Sequence, residues 1–148
     1  MQPSTLLTLR SETGSTLLLT IFYSMLSLTL VLLITAASSL YLERKRLLSL
    51  ADGAALVGAE AFDLTQIASS TTGPRVTLTQ ADVATAVNDY LAAVPHTFEN
   101  LAVERAEPVD GRGATVALSA YWRPPMLSLL VPEGLRIEVE ANARSVIG

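Results

Sequence analysis

The sequence predicts an α+β protein: a long N-terminal helix, a second helix and a small three-stranded antiparallel sheet. Three observations carry this expectation. Thirty consecutive residues, Thr13 to Leu42, bear no formal charge. An amphipathic pattern from Thr79 to Val94 repeats at helical spacing, and three later runs alternate apolar and polar residues at the period of a strand.

The uncharged run is dominated by Leu, Ile and Val from Leu17 onward and holds no proline. About 20 such residues cross a hydrocarbon core as a helix, in which every backbone N–H and C=O is satisfied within the segment. The run therefore predicts a membrane span over 15–42. It is too long for the apolar part of a secretory signal, so an uncleaved anchor is expected, although Ala36, Ala37 and Ser38 imitate a cleavage site. Residues 1–14 then form a leader or cytoplasmic segment. Arg44, Lys45 and Arg46 flank the far end of the span, and by the positive-inside rule they favour a cytoplasmic location for the C-terminal remainder of the chain.

Composition narrows the function. Half of the residues are hydrophobic, and the net charge is −4. From Leu47 to Gly148 twelve acids face six arginines and no lysine, which leaves no basic surface for nucleic acid. Cysteine is absent, so disulfides and thiolate metal sites are excluded. His96 is the sole histidine and follows Pro95 in a loop, and no nucleophile–base pair or ordered ligand spacing accompanies it. No catalytic, cofactor-binding or metal-binding residue is expected.

Residues 43–68 read as a juxtamembrane helix continuing the span. Its distinguishing feature is a run of small residues, Ala51, Ala54, Ala55, Gly58 and Ala61, that lets another backbone approach closely. Two readings remain open, and both can hold along different faces: a thin face under the chain's own sheet, or a helix-packing interface with neighbouring copies or partner subunits. On the second reading, leucine at positions 54 and 58 abolishes assembly and leaves the domain folded. Asp52 sits within this pattern, on either a solvated or a paired side.

A Ser/Thr/Gly/Pro linker over 69–78 leads to a small α+β domain over 79–148. Thr79 and Asp82 have capping-box spacing before a helix that presents Val83, Val87, Tyr90, Leu91 and Val94. Leu101 to Glu107 places Leu101, Val103 and Arg105 on one face, and Pro108-Val109-Asp110-Gly111 supplies a hairpin turn. Ala114 to Trp122 and Leu135 to Val146 complete the sheet, the latter with Leu135, Ile137, Val139, Ala141 and Ala143 inward. One dry face and one wet face are expected. Between these strands Met126, Leu127, Leu129, Leu130 and Val131 form an apolar loop, either a core plug or a tip that contacts a membrane or a partner.

Glu12-Thr13-Gly14-Ser15 before the span, Tyr41 to Leu56 after it, and a late strand ending Ala141-Asn142-Ala143-Arg144 resemble the TadE/TadG-like proteins of Flp (tight-adherence) pilus assembly, in the short TadG-related form typical of actinobacteria. The resemblance implies a pilin-like, non-enzymatic accessory protein of the minor-pilin or pseudopilin kind. It also implies a single-pass anchor in the cell membrane, an extracytoplasmic C-terminal domain, and partners among other pilus subunits, as a hetero-oligomer. That topology opposes the flanking charge, and long C-terminal domains translocate despite such charges. Prepilin-type processing would fall between Gly14 and Ser15, yet Leu19 stands where the pattern has Glu at the fifth mature position. The alternative is a membrane-anchored extracytoplasmic module that binds or senses a ligand.

Overall fold

The computed structural model describes residues 9–61, 78–124, 128 and 132–145, with side chains in the first helix from Gly14 onward. The elements run α1 (Leu9–Ala59), α2 (Gln80–Ala93), β1 (Glu99–Val109), β2 (Gly113–Trp122) and β3 (Leu135–Arg144). This is the expected α+β architecture. The chain divides into two compact units, Met1–Ser39 and Leu40–Gly148.

The first unit contributes the apolar part of α1. Its threonines do not break the helix, because Thr20, Thr29 and Thr35 donate their hydroxyls to the carbonyls of Thr16, Met25 and Val31 at 2.8, 2.9 and 2.8 Å. Each hydroxyl is thereby satisfied one turn back, without water.

In the second unit the remainder of α1 lays one face into a core. Leu47, Leu50, Ala51, Ala54, Ala55 and Ala59 recur at helical spacing and are buried. Helix α2 adds Val83, Val87 and Leu91. It starts as the sequence predicts: Asp82 N–H donates to the Thr79 hydroxyl, and Thr79 N–H donates to the Asp82 carboxylate, each at 3.3 Å. Gly58 lies against Val83 and Val87, and Gly53 lies against Tyr90, so α2 runs antiparallel to this part of α1.

The sheet is an antiparallel meander in the order β1-β2-β3. Asp110 and Gly111 both have positive φ, 53° and 68°, and Arg112 N–H donates to the Val109 carbonyl at 3.2 Å. Positive φ at both central residues is what an Asp-Gly hairpin turn provides. On the core face Val116 pairs with Ala141, Leu118 with Val139, and Ala120 with Ile137, all buried. The start of β2 returns to α1 through Ala114, which meets Gly58.

Two details depart from simple alternation. The β1–β2 register shifts between Val103 and Arg105, where a β-bulge sets Glu104 and Arg105 both on the outer face. Arg105 therefore does not share a face with Val103, and Ala106 takes the inward position, opposite Val116. Leu135, expected inward, is 48% exposed at the sheet end. The distal part of the juxtamembrane helix, most of the linker and the strand continuation to Val146 lie outside the described residues.

Candidate functional site

Every large apolar side chain from Leu17 to Ile34 is exposed, at 39 to 71% of its surface. Fourteen such side chains in succession form an apolar surface continuous along the helix, far beyond the scattered apolar exposure of soluble proteins. Among the described residues this is the one helix long and apolar enough to cross a membrane. Gly14 and Ser15, the position for prepilin-type processing, are exposed residues within α1.

Where the apolar run ends, the chemistry changes within one turn. Tyr41 is exposed, and Lys45 Nζ stands 5.9 Å from its ring centroid, a cation–π pair at i,i+4. Glu43 is turned inward, its side chain 24% exposed, and pairs with Arg46 at 3.6 Å.

The small-residue face is committed to the chain's own core. Ala51, Ala54, Ala55 and Gly58 are buried and Ala61 is half-buried. A Cβ added at Gly58 would lie 3.1 Å from Val83 Cγ1 and 3.3 Å from Ala114 Cβ, and one at Gly53 would lie 2.1 Å from Tyr90 Oη. The two glycines thus provide the close approach that offsets their helix-propensity cost of about 1 kcal/mol each. The intramolecular reading of this face is therefore the one the fold realises. Leucine at 54 or 58 would meet packed atoms of the chain itself, so such a variant bears on the fold as well as on any contact with a partner. Asp52 is exposed.

The outer face of the sheet is ionic and self-paired. Arg105 on β1 reaches Glu140 on β3 at 3.3 Å, and the residue between them in register is Ala117 of β2. Arg136 on β3 meets Glu104 on β1 at 2.7 Å, while Ser119 of β2 donates its hydroxyl to the same carboxylate at 2.6 Å. Next-but-one strands stand roughly 10 Å apart, and the Arg105–Glu140 pair closes over Ala117, a small residue of the central strand. Thr115 donates to Asn142, and among the described residues no buried side-chain polar atom lacks a partner. The Ser119 hydroxyl, then the Arg136 guanidinium, hold the Glu104 carboxyl below its ordinary pKa. Arg123–Glu99 and Arg144–Asp110 extend the pairing at 3.1 and 3.6 Å. The expected wet face is thus roofed over its middle strand. Sequence reasoning missed this lattice; its signal is the row Thr115, Ala117, Ser119 between strands rich in Arg and Glu.

A groove runs between α2 and β1, lined by Asn88, Leu91, Phe98, Leu101, Val103 and Ala106 among others. His96 borders it, exposed and 6.1 Å from the Phe98 ring. Among the described residues no group of three His, Cys, Asp or Glu side chains is placed to hold a metal. The apolar loop residues Met126, Leu127, Leu129, Leu130 and Val131 lie outside the described residues.

A helix apolar on all sides in its first half, and packed into a small sheet-bearing core in its second, defines a protein with a candidate N-terminal membrane anchor and a compact α+β unit. The model of the putative Flp pilus-assembly TadE/G-like family matches residues 14–61, about a third of the chain. Over that segment the chain is similar to the TadE/TadG-like proteins that its flanking residues resemble. No curated protein and no solved structure matches the chain.

Proposed function

We propose that the protein is a membrane-anchored, non-enzymatic accessory component of Flp/Tad pilus assembly, of the minor-pilin or pseudopilin kind. Its single span sits in the cell membrane, and its Leu40–Gly148 unit lies outside the cytoplasm. The observation that carries this reading is the exposed apolar surface from Leu17 to Ile34 inside the segment matched by the TadE/G-like family. Such a surface needs lipid or neighbouring helices around it, and a pilus-assembly complex provides both. With the small-residue face filled by the chain's own core, contact with other subunits falls to the apolar half of α1 and to the outer surface of the folded unit.

Protease treatment of intact protoplasts tests the topology. Degradation of the C-terminal unit with survival of the span is expected, and full protection until lysis would overturn the extracytoplasmic placement. Capture with the full-length tagged protein tests the assignment: recovery of pilus-assembly proteins supports it. The groove between α2 and β1 favours the second reading, an anchored binding module. Recovery of a small ligand and no pilus component would select that reading instead.

A further inference from the structure

We infer that Tyr41, Arg44 and Lys45 form a binding surface for anionic phospholipid headgroups. This rests on the membrane anchor proposed above. The three residues are spaced i, i+3, i+4 and so fall on one side of the helix, immediately after the uncharged run. All three are exposed.

Charge pairing sets this turn apart. In and beside the sheet Arg105, Arg123, Arg136 and Arg144 are each spent on a carboxylate of the chain itself. Arg44 and Lys45 make no such pair among the described residues, and Glu43, the acid nearest to them, is turned inward and bridged to Arg46. Arg112 is also exposed and unpaired among the described residues, but it stands alone in the β1–β2 turn, whereas Arg44 and Lys45 are adjacent where the helix leaves the apolar run. The folded unit elsewhere is acidic, which disfavours an acidic protein partner close by.

The geometry fits a lipid headgroup. Helical side chains lean toward the N-terminus, so the Lys45 ammonium is carried back over the Tyr41 ring, toward the apolar residues. A tyrosine with an adjacent cation at the end of a span is the arrangement that settles at headgroup level, the ring among glycerol and acyl groups and the ammonium at the phosphate. Arg44 adds a planar donor that binds phosphate in bidentate fashion. A cation near an anionic lipid surface contributes ~1 kcal/mol, about a fivefold preference for each.

The test uses the full chain reconstituted into phosphatidylcholine vesicles carrying trace spin-labelled phosphatidylglycerol or phosphatidylcholine. Electron paramagnetic resonance then measures how strongly each label is held at the protein. About fivefold or greater selectivity for phosphatidylglycerol is expected, falling toward unity in the Arg44→Gln/Lys45→Gln variant and in high salt. Equal binding of both labels, or undiminished selectivity in the variant, overturns the inference and leaves the anchor intact. Absence of any protein-held lipid signal overturns both.

Discussion

At Gly58 the helix-to-core contact leaves little room for a side chain. A side chain there meets Val83, Val87 and Ala114 together, atoms contributed by two other elements that are themselves buried. Gly53 faces only the tip of Tyr90, which can swing aside. Gly58→Leu is expected to destabilise the folded unit by ~2 kcal/mol or more through overpacking. Gly53→Ala should change stability far less, because the displaced ring is offset by better helix propensity. Urea unfolding of the detergent-solubilised chain, followed by the fluorescence of Trp122, its sole tryptophan, reads both. Similar losses at the two positions would show that the crowding at Gly58 is not what limits it. Glu104 gives a second test at this scale. Its pKa is lowered in the folded state, so its contribution to stability is complete above the ordinary glutamate range and is lost as pH falls through the depressed folded value. Ser119→Ala removes the largest cause, so the Glu104 carboxyl should titrate higher, nearer its ordinary value, in a carboxyl-resolved NMR titration.

Helix α2 shows how local chemistry sets an element boundary. The reciprocal Thr79–Asp82 bonds satisfy backbone donors at the first turn, and Thr79→Ala should cost about 1 kcal/mol in the same urea assay. This boundary was legible because every atom of the capping box lies within four residues of chain. The inward face of β3 from Ile137 to Ala141 was legible for a similar reason, since alternation needs no knowledge of the partner strand. Arg105 was not: its face depends on a bulge that exists only in the pairing of β1 with β2. The destination of Ala51, Ala54 and Ala55 was equally hidden, because small residues at helical spacing look the same under the chain's own sheet and against a neighbour's helix. Leu135 shows the limit of periodicity, which assigns a side of the sheet and says nothing about whether the core extends that far.

For the whole molecule the decisive asymmetry lies between the two halves of α1. From Leu47 onward one face of the helix enters a core through Leu47, Leu50, Ala51, Ala54, Ala55 and Ala59, whereas from Leu17 to Ile34 fourteen large apolar side chains stay exposed on all sides. In water that exposure would drive aggregation, and in a bilayer it costs nothing. Arginine at the middle of the run therefore separates the two situations. Each Arg at the centre of a spanning helix costs about 3 kcal/mol of apparent insertion free energy, on top of the leucine it replaces. Leu26→Arg/Leu30→Arg should release the protein from the membrane pellet during alkaline carbonate extraction, while the wild type stays behind. The substituted positions are exposed and outside the folded unit, so an unchanged Trp122 emission in the variant would confirm that retention and folding have been uncoupled. Equal retention of variant and wild type would mean that lipid is not what surrounds this helix, and the anchor would have to give way to a protein-covered one.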